Sequence, residues 1–132
     1  MLSAREQVDN LLDLFYRAFA PVGLTELEFE RETVLIDHDR IARVSVRLSG
    51  GMVVLRINVT LDVTPGWPMW PHYSFHLQDA SGQCIARLDN VAHFPNLPNF
   101  PHHLHVGPDE GVQPLDDPSP RGIIDLISSL IH

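Results

Sequence analysis

The sequence predicts one α+β domain, an antiparallel sheet of about five strands with an N-terminal and a C-terminal helix. Three observations predict it. Apolar residues recur at helical spacing near each end of the chain, and between these ends they alternate with polar residues at the period of a strand. Two of the breaks, Ser49-Gly50-Gly51 and Asp79-Ala80-Ser81-Gly82, have the glycine of tight turns between antiparallel neighbours. At 132 residues, 44% hydrophobic and 20% charged, the chain can bury a single core. It has no internal repeat and no linker, so the domain spans 1–132.

The first helix is expected over 4–20. Ser3-Ala4-Arg5-Glu6 has the form of a capping box, in which Ser and Glu satisfy free backbone donors at a helix start. Val8, Leu11, Leu12, Phe15, Ala18 and Phe19 make one stripe, and Pro21 and Gly23 end it. Strands are expected within 26–89. Leu27 and Phe29 alternate with Glu26, Glu28 and Glu30. Val34 and Ile36 continue out of phase, which predicts a bulge or break after Glu30. Asp37-His38-Asp39-Arg40 reads as a turn. Ala42, Val44, Val46 and Leu48 then oppose Arg43, Ser45 and Arg47, and Ser49-Gly50-Gly51 makes a hairpin turn. Val53 through Val63 alternate with Arg56, Asn58, Thr60 and Asp62.

Thr64–Pro71 reads as a loop whose Trp67 and Trp70 plug a core or an interface. Tyr73–Leu77 and Cys84–Leu88 form a further hairpin, with Cys84 expected in the core. Residues 90–118 read as a proline- and histidine-rich loop. Pro95, Pro98, Pro101 and Pro108 argue against helix and against central strand there. Ser119-Pro120 then opens a helix over 120–131, with Ile123, Ile124, Ile127, Leu130 and Ile131 as its apolar stripe.

Composition narrows the function. A formal charge of −8 is the wrong sign for a generic nucleic-acid binder. All nine cations are Arg, however, and Arg grips phosphate as a fork. One cysteine excludes an internal disulfide and suits a reducing, cytoplasmic setting. The charges at Arg5, Glu6, Asp9 and Asp13 do not fit a signal peptide, and no apolar run reaches membrane-spanning length.

The chemistry concentrates in one place. Four of the eight histidines (His93, His102, His103, His105) fall within thirteen residues, close after Asp89. Histidine titrates near neutral pH and ligates transition metals. Strand period lets His72, His76, Arg87 and Asp89 share one polar face, and puts His103 and His105 on one side with His102 on the other. Three readings follow. Two histidines can divide acid–base cleavage of an RNA phosphodiester, with Asp89 orienting one ring and Arg87 or Arg121 neutralising charge. His103, His105 and Asp89 can instead hold zinc, with His76 or His93 as a further ligand. Or the histidines merely cap loops, as His38 does in a turn and His132 at the chain end.

The stretch Tyr73-Ser74-Phe75-His76-Leu77-Gln78-Asp79-Ala80-Ser81-Gly82, then Leu88-Asp89-Asn90, then Phe100-Pro101-His102-His103-Leu104-His105-Val106-Gly107 resembles the TumE-like family of toxin–antitoxin toxins. The resemblance covers about residues 40–131. It implies a cytoplasmic protein with a cognate antitoxin, often one carrying a helix-turn-helix, and a nucleolytic role by analogy. The family pattern falls on Asp89, Asn90, His103 and His105, with His102 beside them. Leu104 stands where many relatives carry Lys or Arg.

The leading expectation is a toxin that cleaves RNA without a metal cofactor. Its catalytic set is His103, His105, Asp89 and His102, and its substrate contacts are Arg87, Asn90, His93 and His76. The alternatives are a zinc module on His103, His105 and Asp89, or a non-catalytic protein whose sheet edge and Trp67/Trp70 loop bind an antitoxin or a second copy as a homodimer. Both chemical readings need the imidazoles to meet Asp89 in a solvent-reachable pocket.

Overall fold

The computed structural model describes residues 2–36, 38–109 and 111–131, with residues 30–36 described by backbone alone. Asp37 and His132, expected in a turn and at the chain end, lie outside these residues. The order is α1 (Ala4–Phe19), a 3₁₀ turn (Ala20–Val22), β1 (Glu26–Ile36), β2 (Ile41–Gly50), β3 (Val53–Asp62), β4 (Met69–Asp79), β5 (Cys84–Asp89), β6 (His103–Val106), β7 (Gly111–Pro114) and α2 (Pro120–Leu130). Among the described residues, seven strands form one antiparallel meander in chain order.

The expectation of about five strands is corrected here. β6 and β7 lie inside the stretch expected to be loop. The prolines explain the difference. They flank the tetrapeptide His103–Val106 without interrupting it, so its backbone donors remain available for pairing. Pro114 closes β7 at the sheet edge, where a missing donor is tolerated.

Ser3 caps α1 by accepting from the Glu6 amide at 3.1 Å. The turn after β1 adds two acceptors: the Asp39 carbonyl takes the Ala4 amide at 2.7 Å, and its carboxylate takes the Arg5 amide at 3.2 Å. His38 and Asp39 sit in this turn with φ of 53° and 61°. The expected irregularity in β1 is present as register shifts between Phe29 and Arg31 and between Arg31 and Val34. Ser119 caps α2 through the Gly122 amide at 3.1 Å.

One sheet face is apolar. Leu48, Leu55, Leu77, Ala86 and Val106 form one cross-strand row, and Val46, Ile57, Phe75, Leu88 and Leu104 form the next. α1 packs on the first three strands, α2 on β5, and the helices on each other. Phe15, Phe19, Ile123 and Ile127 are fully buried between the layers. Trp70 belongs to β4 rather than to a loop, and its ring packs 6.1 Å from Phe15 and 5.8 Å from Phe75. Trp67 is exposed. Cys84 is only half-buried, because a register shift at Leu77/Gln78 takes it out of the alternation. Covering one face with both helices leaves the other face, with its polar side chains, uncovered by helix.

Candidate functional site

The uncovered face is polar because strand period put every second residue there. Register aligns these residues into cross-strand rows. Ser45, Asn58, Ser74, Asp89 and His103 make one row. Arg47, Arg56, His76, Arg87 and His105 make the next. Arg43, Thr60 and His72 make a third. Two strands suffice to bring Asp89, Arg87, His103 and His105 side by side, since β5 pairs Asp89 with His103 and Arg87 with His105.

Asp89 is the hub of the cluster. Its Oδ1 accepts the Val91 amide at 3.0 Å and lies 3.0 Å from His103 Nε2, while Arg87 Nε is 3.7 Å from its Oδ2. The Pro101 carbonyl, 3.0 Å from His103 Nδ1, can only accept, so Nδ1 carries the proton. Nε2 is sealed from solvent and makes no bond of hydrogen-bond geometry among the described residues. The short approach to Asp89 is therefore an electrostatic contact off the N–H line. The His105 ring stands 5.0 Å from that of His103, nearly perpendicular to it. One ligand atom each from Asp89, His103 and His105 lie within 4.8 Å of one another.

The cluster is assembled but closed. His103 is 1%, His105 7% and Asp89 8% exposed. This corrects the expectation of a solvent-reachable pocket. The reason is Phe94, whose ring centroid sits 5.0 Å from His103 and 5.9 Å from His105 and covers both. His93 is exposed at the rim, 6.5 Å from the His103 ring. His76 and Arg87 lie in the adjoining row, as strand period required.

Three expected members are placed elsewhere. His102 projects to the other side, stacking on Tyr73 at 5.8 Å with its Nδ1 2.8 Å from the Tyr73 hydroxyl. Burial and the nearby Asp89 charge push the Tyr73 phenol well above its usual range, and burial, then the neighbouring His103, hold His102 below its own. Asn90 is a clip: its Oδ1 accepts the Tyr73 amide at 3.1 Å and its Nδ2 donates to the Pro71 carbonyl at 2.8 Å. Arg121 is exposed on α2 with Asp125 at 3.8 Å, away from the polar face. Leu104 points into the core, so its lack of a cation takes nothing from this face.

Sequence reasoning missed Phe94, Ser74 and the Pro101 carbonyl. Ser74 was legible from period alone. Phe94 and Pro101 act through a loop with no periodicity, and nothing local marked them.

A family model described as Toxin TumE matches residues 26–132. The chain belongs to the TumE toxin family. The match takes in every strand, the cluster, the Trp67/Trp70 segment and α2, and leaves α1 outside. TumE membership makes it a toxin component of a toxin–antitoxin system and implies an antitoxin partner in general. Among curated proteins and among solved structures, nothing matches the chain. No helix among the described residues is long and apolar enough to cross a membrane.

Proposed function

We propose that this TumE-family protein acts as an endoribonuclease, with Asp89, His103, His105 and Arg87 as its reactive group. The observation that supports this reading is their register: β5–β6 pairing sets a carboxylate–imidazole pair directly beside an arginine–imidazole pair. A proton acceptor, a proton donor and a cation within one neighbourhood are what transesterification of RNA needs.

In this reading His105 takes the proton from a 2′-hydroxyl. The freed oxygen attacks phosphorus, and the bond to the 5′-oxygen breaks. His103 gives that oxygen a proton, leaving a 2′,3′-cyclic phosphate and a 5′-hydroxyl. The Pro101 carbonyl and Asp89 flank the two nitrogens of His103 and fix the ring in place. Arg87 offsets the charge that builds on the phosphate oxygens. Phe94 excludes water, and it has to swing aside before a phosphodiester can enter.

Induced expression of wild type, His103→Ala and His105→Ala tests the assignment. Wild type should arrest growth and degrade RNA, and both variants should do neither while remaining folded. Variants that arrest growth and degrade RNA as wild type does would remove it.

One observation favours a second reading. A buried imidazole oriented by a backbone carbonyl, with its other nitrogen unbonded and two more ligand atoms within 4.8 Å, is a familiar metal-ligand arrangement. Asp89, His103 and His105 would then hold zinc, leaving a position open. Elemental analysis of tag-free protein and thermal unfolding with added zinc decide between the readings. Stoichiometric zinc supports the second, and neither metal nor thermal shift rejects it.

A further inference from the structure

We infer that the uncovered sheet face is a binding groove for single-stranded RNA, running across the strands from β2 to the Asp89 cluster. The inference rests on the endoribonuclease reading for its direction, and it assigns a binding role to residues on which that reading does not draw.

The argument starts from the three rows. The middle row is neutral and hydrogen-bonding: Ser45, Asn58 and Ser74, leading directly to Asp89 and His103. Ser45 already donates to the Asn58 amide oxygen, so the floor is ordered. On one flank stand Arg47, Arg56, His76 and Arg87, and on the other Arg43 and His72. Across β2–β5 these flanking positions carry no carboxylate, and Glu28 of β1 stands at the outer end of the first flank, 4.0 Å from Arg47. Although the whole chain has a charge of −8, the flanks between β2 and β5 thus present cations. A neutral floor between cationic walls suits a chain of phosphates with hydrogen-bonding bases, and a bare acidic partner would leave the floor without a role.

Size agrees. Neighbouring strands lie about 4.8 Å apart, so five strands give a track roughly 19 Å long. Over β2–β4 the face opens into a cavity of about 570 Å³, lined by Arg43, Ser45, Asn58, Thr60, His72 and Ser74 and rimmed by Asn90–Ala92. That volume admits an unpaired nucleotide with room to spare. Its lining is largely apolar and suits the face of an unstacked base, and the polar groups of Ser45, Asn58 and Ser74 can contact a base edge, which duplex RNA turns inward. Ser74 lines the cavity and pairs with Asp89 across β4–β5, so a nucleotide seated there abuts the cluster. Both features name single-stranded RNA as the ligand.

The test uses the full chain and a fluorescein-labelled, 2′-O-methyl single-stranded oligoribonucleotide, which cannot be cleaved. Binding is followed by anisotropy over a salt series. Wild type should bind with an affinity that falls as salt rises. Arg43→Glu and Arg56→Glu are exposed changes that should fold, as thermal unfolding will check. Each should weaken binding on the order of tenfold and flatten the salt slope by about 0.7 per lost phosphate contact. Arg121→Glu, on the helix side, should bind as wild type does. The groove is overturned if wild type does not bind, if both charge reversals bind unchanged, or if duplex RNA binds as tightly. Binding of poly-glutamate in place of RNA would assign the face to an acidic polypeptide and also overturn it. RNA binding as expected, with His103→Ala and His105→Ala fully toxic, would leave the groove standing and remove only the catalytic reading.

Discussion

Asp89 and His103 should be energetically coupled, and a double-mutant cycle of Asp89→Asn and His103→Gln measures this. Their nearest atoms are 3.0 Å apart, with side chains 11% and 2% exposed. A protonated imidazole at that separation would attract the carboxylate by about 5.5 kcal/mol at an effective dielectric near 20, which sets the upper bound. Several effects reduce the measurable part. Both groups are desolvated, the contact lies off the N–H line, and the Val91 amide and Arg87 already draw on the same carboxylate. A coupling of about 1.5–3 kcal/mol remains. Asn is the right replacement because its amide oxygen can still accept from Val91, so the cycle isolates the imidazole contact. Urea unfolding of the four proteins, analysed with a common slope, yields the value. A coupling below about 0.5 kcal/mol would mean that the two groups act independently, and the assembled site would have to be abandoned.

Gly122→Ala in α2 should destabilise by about 1–3 kcal/mol in the same assay. Helix propensity alone favours Ala by up to about 1 kcal/mol, but its Cβ would fall 2.5 Å from the Asp117 carbonyl oxygen and against the Asp117 carboxyl carbon. A stabilised variant would show that the loop before α2 yields easily. Trp70→Ala should lose about 2–3 kcal/mol, since the ring packs on Phe15 and Phe75, whereas exposed Trp67→Ala should stay within about 0.5 kcal/mol. Equal losses would refute the division between them. Asp62, Asp79 and Asp117 are held below the ordinary carboxylate value of 3.8 chiefly by hydrogen bonds from Thr64, Ser81 and Ser119. A depressed carboxylate adds stability above its unfolded value and loses it as pH falls through its folded value. Urea midpoints should therefore drop as pH falls below 3.8, and the triple Asp→Asn variant should show a shallower drop. Parallel profiles would refute the turn assignment.

Much of the scaffold was written in local pattern. The α1 stripe from Val8 to Phe19, the Ser119 cap, the irregular β1 and the β2–β3 hairpin were all readable, because each depends on residues a few positions apart. The sharing of one face by His72, His76, Arg87 and Asp89 was equally readable, since a strand turns each successive side chain to the opposite side. β6 and β7 escaped because four-residue strands among prolines carry almost no periodic signal, and they are defined by pairing with β5.

The sequence alone therefore determined which residue types face which way, and that a carboxylate and several imidazoles lie near one another in the chain. Only the tertiary structure decided that His103 lands opposite Asp89, that the Pro101 carbonyl orients its ring, that His102 leaves the group for Tyr73, and that Phe94 closes over the rest. Orientation along a strand is set by neighbouring bonds, whereas register between strands and the cover above them are set by packing between distant segments, which no local spacing records.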